Sequence, residues 1–199
     1  MTKSAVIKVI GLFWCLTLGY SANATDLSTA LSDGRHILLI RHADAPGFGD
    51  PAGYRLDDCA TQRNLGERGR QQAVRIGQWL RQQGIQKARV YSSPWCRCRD
   101  TGQLLAMGEV NLERSLGSFF DEMSRASTQT RQLQEFIAQR LEEKLASPLI
   151  LITHHVNIEA YTGKVVSVGD MVLVDVGPHG ESKSFRVYPT PAQGSLQER

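Results

Sequence analysis

Two histidines and two arginines of this sequence stand near the ends of predicted strands, and their chemistry suits phosphate. One apolar run ends in Arg41 and His42, a second ends in His154, and Arg97 follows a Ser-Ser-Pro turn after a third. A neutral imidazole can attack phosphorus, and a planar guanidinium group can bind two phosphate oxygens at once. Together these residue types indicate phosphoryl transfer through a covalent histidine, a chemistry that needs no metal.

The spacing of apolar residues predicts strands that alternate with helices. We expect strands over 36–40, 89–92 and 149–153, helices over 65–83, 93–106 and 130–145, and a hairpin or two edge strands over 171–176 and 185–188. Ser93 would cap the second helix and Pro94 would open it, while the segment 111–126 is predicted to be irregular. This alternation predicts an α/β fold of three layers, with a mostly parallel mixed sheet flanked by helices. The carboxyl ends of parallel strands share one edge, so the two histidines and two arginines would face one pocket.

Four blocks in order along the chain resemble the histidine phosphatase superfamily, which includes phosphoglycerate mutase-like proteins and acid phosphatases. The blocks are Leu39-Ile40-Arg41-His42-Ala43, Asn64-Leu65-Gly66-Glu67-Arg68-Gly69-Arg70-Gln71-Gln72-Ala73, Tyr91-Ser92-Ser93-Pro94-Trp95-Cys96-Arg97-Cys98-Arg99-Asp100-Thr101 and Ile152-Thr153-His154. The resemblance covers about residues 36–165 and is strongest to an exported bacterial branch. It implies a phosphoglycerate mutase-like fold and a phosphomonoester hydrolase that uses no cofactor.

The resemblance also implies a role for each of the four residues. His42 would be the phosphorylated nucleophile, and Arg41 and Arg97 would bind the phosphoryl group. His154 would complete the pocket as a hydrogen-bond donor or a positive charge. For Arg97 the alternative is a solvated arginine on a helix surface, since it lies in an arginine-rich turn. Ala43 replaces the glycine that often follows the nucleophile in this family.

The group that protonates the leaving alcohol stays open at this point. The mutase-like branch usually carries a glutamate in a Leu-x-Glu context, where this chain has Leu116-Gly117-Ser118. Asp121 or Glu122 could supply the proton, or both could be solvent-facing loop acids. His155 is another candidate, because His154-His155-Val156-Asn157 resembles the His-Asp-x-Asn motif of the acid phosphatase branch.

The loop from Asp44 to Arg63 follows the nucleophile directly and is predicted to shape substrate choice. Arg63 in this loop and Asn157 beyond the third strand are the further candidates for substrate binding. The predicted partner is a small-molecule phosphomonoester, for which a phosphorylated sugar is the leading choice. Two alternatives remain: a non-catalytic phosphate-ligand binding protein of the same fold, and a phosphohistidine or phosphoprotein phosphatase.

The N-terminal residues of this 199-residue chain have the pattern of a signal peptide. Lys3 and Lys8 precede an apolar stretch over 9–18, and Ala22-Asn23-Ala24 suits a signal peptidase. We therefore expect a signal peptide over 1–24, a catalytic domain over 25–188 and a flexible tail over 189–199. The mature protein would be periplasmic or secreted and not inserted in a membrane, with a retained N-terminal anchor as the alternative.

Charge gives no support for a nucleic-acid partner. The formal net charge is +3, and removal of Lys3 and Lys8 with the signal peptide lowers it by two, to +1. No basic run interleaved with aromatic residues is found, so binding to nucleic acid is not expected.

Three cysteines remain after signal cleavage: Cys59, Cys96 and Cys98. An oxidising compartment would allow a disulfide from Cys59 to either of the other two, which would stabilise the fold by roughly 4 kcal/mol in the chain-entropy model. A zinc site and three separate buried thiols are the alternatives. A disulfide would tie the Asp44 loop to the helix that carries Arg97.

Overall fold

A computed structural model describes residues 27–145 and 147–192 of the chain. Within these ranges the strands are β1 (His36–Arg41), β2 (Arg89–Ser92), β3 (Val110–Leu112), β4 (Leu149–Thr153), β5 (Met171–Val176) and β6 (Ser182–Tyr188). The α-helices are α1 (Leu27–Leu31), α2 (Glu67–Gln82), α3 (Cys96–Leu105), α4 (Ala126–Glu142) and α5 (His155–Thr162). Short 3-10 turns lie at Cys59–Thr61, Arg114–Leu116 and Met123–Arg125. The predicted signal peptide and the tail beyond Ala192 lie outside the described residues, so both stay predictions.

The strands form one mixed sheet in the order β3-β2-β4-β1-β5-β6. The first four are parallel to one another, β5 runs antiparallel beside β1, and β6 runs antiparallel beside β5. Because β1, β2 and β4 point the same way, their carboxyl ends meet at one edge. The backbone N–H of His42 donates to the Thr153 carbonyl at 3.0 Å, and that of Ser93 donates to Ile152 at 2.9 Å.

Helices cover both faces of the sheet. In β1, Leu38 and Ile40 pack into the apolar cluster formed with α2 and α3, whereas Ile37 and Leu39 pack into the cluster formed with α4 and α5. This alternation explains why β1 and β4 are apolar without interruption, since a central strand buries side chains on both faces. The three-layer α/β prediction is confirmed.

The boundaries of several elements differ from the predictions. Helix α3, predicted over 93–106, begins at Cys96 rather than at Pro94. The Ser93 hydroxyl does not cap this helix and instead lies 2.8 Å from Nε2 of His154. The fourth helix begins at Ala126 rather than at Thr130. The predicted irregular segment overlaps β3, which begins at Val110, and α5 was not predicted at all.

The close packing around Gly69 in α2 explains why the second motif has a glycine at this position. A Cβ at this position would overlap the backbone carbonyl of Asp44, so only glycine lets the helix pack against the segment that follows His42. The same contact is supported by Gln72, whose side-chain oxygen accepts a hydrogen bond from the Asp44 N–H at 2.8 Å. The second motif therefore fixes the chain just after the nucleophile candidate.

In the described part of the chain, no helix is both long enough and apolar enough to cross a bilayer. The start of the predicted tail is held to the domain, because the Thr190 N–H donates to Asp170 and the Thr190 hydroxyl accepts from Gln72.

Candidate active site

A cleft of about 310 Å³ opens at the carboxyl edge of β1 and β4. Its base is buried, with His42, Arg97 and His154 only 2 to 3% exposed. Its lining consists of Arg41, His42, Asp44, Ala45, Pro46, Gly47, Phe48, Gly49, Asp50, Arg63, Arg97, Ser118, Phe120, Asp121, His154, His155 and Val168. The four residues singled out at the strand ends therefore do meet in one cleft.

His42 presents a nucleophilic nitrogen at the base of the cleft. Its Nδ1 lies 2.8 Å from the carbonyl oxygen of Ala43. A carbonyl can only accept, so Nδ1 carries the proton and the lone pair of the neutral ring is on Nε2. Burial and then the charge of Arg97 hold the pKa of His42 well below its usual range. The ring therefore stays neutral, as attack on phosphorus requires.

Arg97 is buried against both histidines, which excludes the solvated alternative. Its Nε donates to Nε2 of His42 at 3.3 Å, and its Nη2 donates to Nδ1 of His154 at 3.4 Å. Thr101 connects the Arg97 turn to the nucleophile, because its hydroxyl donates to the Arg97 carbonyl and accepts from the Ala43 N–H. The guanidinium group thus lies where it can contact a phosphoryl group on His42.

Asp50 is a site residue that sequence reasoning missed. Its Oδ1 lies 2.9 Å from Nη1 of Arg97 and accepts from the Arg63 N–H at 3.0 Å, and its Oδ2 accepts from Trp95 Nε1 at 3.1 Å. Its side chain is 4% exposed. Nothing local marks Asp50, which lies in a loop with several other acids. The one available signal was its place in the loop that follows the nucleophile.

His154 follows β4 and faces His42 across the cleft, with 5.4 Å between ring centroids. Because Nδ1 accepts from Arg97, the proton of the neutral ring is on Nε2, which lies 2.8 Å from the Ser93 hydroxyl. Burial and the charge of Arg97 lower the pKa of His154 well below its usual range. Nδ1 can donate to a phosphoryl oxygen only after His154 takes up a proton.

Arg41 and Arg63 add two positive charges to the cleft wall. Arg41 Nη1 donates to the Val166 carbonyl at 2.7 Å, while its Nε is buried without a hydrogen-bond partner in the described chain. Arg63 donates to the carbonyls of Gly49, at 2.8 Å, and of Ala45. Burial, opposed for Arg41 by the charge of Asp170, lowers the pKa of both arginines. Arg41, Arg63 and Arg97, with the Asp50 carboxylate paired to Arg97, make this part of the cleft suited to an anion.

The candidates for the general acid lie at the mouth of the cleft. Asp121 is exposed, and its negative charge, after burial, raises the pKa of Tyr54. His155 is half-buried as the first residue of α5. Burial and the charge of Arg41 lower the pKa of His155. Ser118, in place of the usual glutamate, lines the cleft as well. The structure brings Asp121 and His155 to the same opening.

Two predicted candidates lie away from the cleft. Asn157 is buried and donates from Nδ2 to the Gly117 carbonyl at 2.8 Å, so it supports the segment before Ser118 rather than lining the cleft. Glu122 is exposed, lies 3.9 Å from Arg125 and is not a lining residue. Asn157 is therefore not among the residues that line the cleft, and its role in substrate binding stays a prediction.

Cys59 and Cys96 form a disulfide, with 5.7 Å between their Cα atoms. This bond confirms the predicted disulfide and excludes the zinc site and the three separate thiols. Gln62 adds a second link between the same segments, because its side-chain oxygen accepts from the Cys96 N–H at 2.9 Å. Cys98 is a buried free thiol beside His154, and burial raises its pKa to about 12.

The sequence comparisons define the class to which this site belongs. Residues 37–161 match the family model of the histidine phosphatase superfamily, branch 1. The chain therefore belongs to the histidine phosphatase superfamily, as the four motifs predicted. No curated protein sequence matches the chain closely enough to count as a relative.

Solved structures of phosphatases have a similar fold. One is the protein histidine phosphatase SixA complexed with tungstate, with a TM-score of 0.56 and 17% identity over 76% of this chain and 94% of that one. Another is a phosphoserine phosphatase from Entamoeba histolytica in complex with 3-phosphoglyceric acid, with a TM-score of 0.54 and 15% identity over 75% and 95%. A third is a putative phosphohistidine phosphatase SixA from Nakamurella multipartitia, with a TM-score of 0.55 and 19% identity over 79% and 97%. At these identities the likeness shows the fold alone.

Proposed function

We propose that this protein hydrolyses phosphomonoesters through a phosphohistidine formed on His42. The observation that carries the proposal is the neutral His42 ring, whose Nε2 lone pair lies at the base of a cleft with three arginines. A neutral imidazole among cationic groups combines a nucleophile with a site for the anion that it attacks.

The proposed reaction has two displacements at phosphorus. Nε2 of His42 forms the P–N bond as the bond to the leaving oxygen breaks, and the leaving alkoxide takes a proton at the mouth of the cleft. Water then attacks phosphorus and gives up a proton to the group that protonated the alkoxide, the P–N bond breaks, its electron pair returns to Nε2, and orthophosphate leaves. Arg97 and Arg41 stabilise the charge on the phosphoryl oxygens in both steps. His154 donates to the same oxygens once the bound anion has raised its affinity for a proton.

We further propose that the enzyme acts in the periplasm or outside the cell, on a small phosphomonoester such as a phosphorylated sugar. The predicted signal peptide over 1–24 supports this location, and so does the Cys59–Cys96 disulfide, because disulfides persist in oxidising compartments. N-terminal sequencing of protein recovered from a periplasmic extract should start at Thr25. A chain that stays in the membrane fraction and starts at Met1 would contradict signal cleavage and support the retained anchor, whereas recovery only from the cytoplasm would contradict the proposed export.

Trapping the intermediate tests the proposed mechanism. The mature protein is incubated briefly with radiolabelled 4-nitrophenyl phosphate and quenched in alkali, and the label is mapped by peptide analysis. We expect label on His42 that is lost in acid, no label or turnover in His42→Ala, and normal labelling in the matched control His179→Ala, whose ring is exposed in a turn. Phosphate binding without label or turnover in the wild-type protein would favour a non-catalytic binding protein.

A phosphohistidine phosphatase is the second candidate, and Ser118 is the observation that favours it. A serine stands where a glutamate usually protonates the leaving alkoxide. Phosphohistidine needs no such acid, because its ring can be protonated on the other nitrogen and leave as neutral imidazole. Comparing kcat/KM for phosphohistidine and for benzyl phosphate distinguishes the two: a ratio of about 100 or more in favour of phosphohistidine would support this candidate.

A further inference from the structure

Three aromatic rings lie at the mouth of the cleft. Two of them belong to phenylalanines, which have no role in the proposed reaction. Phe48 and Phe120 meet edge to face, with ring centroids 5.2 Å apart and an angle of 82° between the planes. The ring of His155 lies 5.7 Å from that of Phe120. All three line the cleft that contains His42. We call Phe48, Phe120 and His155 the aromatic rim.

The loop that carries Phe48 is built to hold this side chain outward. Phe48 is 87% exposed, and its neighbours Gly47 and Gly49 have φ values of 93° and 66°, which favour glycine. Arg63 fixes the loop on both sides of the ring by donating to the carbonyls of Ala45 and Gly49. The residue that contributes charge to the phosphate pocket therefore also positions Phe48.

The direction of attack places the leaving group against the aromatic rim. In an in-line displacement the leaving oxygen points away from the attacking Nε2 of His42. His42 is buried at the base, whereas Phe48 and Asp121 are exposed at the mouth, so the leaving group projects toward the rim. The carboxylates of Asp44 and Asp121 also line this region and disfavour leaving groups that carry further phosphates.

We propose that the aromatic rim selects phosphomonoesters whose leaving group presents a flat, uncharged ring face, and that Phe48 is a specificity-determining residue. Edge-to-face and stacked contacts give an aromatic surface its preference for such faces. The face can belong to an aromatic ring or to the C–H side of a sugar ring. The proposal rests on the proposed function for the direction of the leaving group, but its test does not require turnover.

Binding to protein that cannot form the phosphohistidine tests the proposal. Dissociation constants are measured by calorimetry for benzyl phosphate, glucose 6-phosphate and propyl phosphate with His42→Ala and with His42→Ala/Phe48→Ala. All three ligands carry the phosphate on a primary carbon, so they differ mainly in the group that reaches the rim. The matched control is His42→Ala/Phe185→Ala, which removes an exposed phenylalanine of β6 far from the cleft lining.

We expect Phe48→Ala to weaken the binding of benzyl phosphate about three- to tenfold and that of propyl phosphate less than about twofold. If the binding of glucose 6-phosphate changes as little as that of propyl phosphate, the rim prefers an aromatic face. If glucose 6-phosphate also binds more weakly, the rim accepts the face of a sugar ring as well. Phe48→Leu keeps an apolar but non-planar side chain, so it should lose most of the same preference.

Equal effects on all three ligands, or no binding of any, would overturn the role of Phe48. Wild-type protein with benzylphosphonate and propylphosphonate repeats the comparison if His42→Ala does not fold. Failure of the trapping experiment alone would remove the phosphohistidine mechanism and leave this result standing.

Discussion

Asp50 and Arg97 form a buried ion pair at the base of the cleft, with Oδ1 of Asp50 2.9 Å and Oδ2 3.1 Å from Nη1 of Arg97. Both side chains are 4% exposed. The pair uses one end of the guanidinium group and leaves Nε and Nη2 directed at His42 and His154. Asp50 therefore sets the orientation of Arg97 relative to both histidines.

Asp50→Asn should separate binding from turnover. It removes a negative charge, so affinity for inorganic phosphate should be unchanged or higher, but it also loosens Arg97, so kcat should fall about 10- to 100-fold. Asp50→Ala should additionally destabilise the fold by about 3–5 kcal/mol, because it leaves Arg97 buried without its partner. Asp57→Asn is the matched control, since that carboxylate is 84% exposed in the same loop. An unchanged kcat in Asp50→Asn would refute the positioning role.

The two buried histidines should make stability fall in mild acid. Burial and the charge of Arg97 hold the pKa of His42 and of His154 well below the ordinary histidine value, so below about pH 6.5 the unfolded chain binds protons that the folded protein does not. Stability is therefore highest above about pH 6.5. Below that pH, each histidine should lower the free energy of unfolding by about 1.4 kcal/mol per pH unit. Urea unfolding between pH 7 and pH 5 measures this slope, which should be shallower by that amount in His154→Gln. Identical slopes would contradict the buried neutral state of His154.

Reduction of the Cys59–Cys96 disulfide should weaken both the fold and the site. The bond spans 37 residues and joins the loop that contains Asp50 to the start of α3, and Cys59 is exposed to reductant. We expect the free energy of unfolding to fall by about 2–5 kcal/mol on reduction, with a lower kcat/KM. The double variant Cys59→Ser/Cys96→Ser should resemble the reduced protein and show no further response to reductant. Equal stability of the oxidised and reduced proteins would argue against the bond.

Asp121 is predicted to protonate the leaving group, because it lines the mouth where the leaving oxygen emerges. Asp121→Asn should lower kcat for benzyl phosphate about 100-fold and for 4-nitrophenyl phosphate less than about threefold, since nitrophenolate leaves without a proton. His155→Gln is the comparison variant and should show no such difference between the two esters. The same reduction for both esters in Asp121→Asn would remove it as the acid.

The strands were predictable because their signal is local. Apolar runs defined β2 and β4 with their observed ends, and β1 within one residue. By contrast, α5 was missed because it starts directly after a strand and its buried side chains do not form a simple stripe. The three-residue β3 was missed because so short a strand at a sheet edge has no periodicity to detect.

The direction of the cysteine side chain decided which cysteine pairs with Cys59, and its distance from Cys59 in the sequence did not. Cys96 and Cys98 are two residues apart, so on a helix their side chains point about 200° apart. Cys96 faces the loop that carries Cys59, and Cys98 faces His154 in the interior. Either cysteine satisfied the sequence argument, and only the position of the loop distinguished them.

The sequence alone determined the family, the order in which polar residues follow the central strands, and which of those residues meet at the sheet edge. It could do so because hydrophobic periodicity and parallel strand direction can be recognised in short segments. Only the tertiary structure decided that Asp50 holds Arg97, that Asn157 supports a backbone turn and that Phe48 stands at the mouth. The positions of Asp50 and Phe48 depend on how an irregular loop of about twenty residues folds back over the sheet edge. Such a loop has no period, so its contacts are set by the hydrogen bonds, ion pair and disulfide that it forms with distant residues.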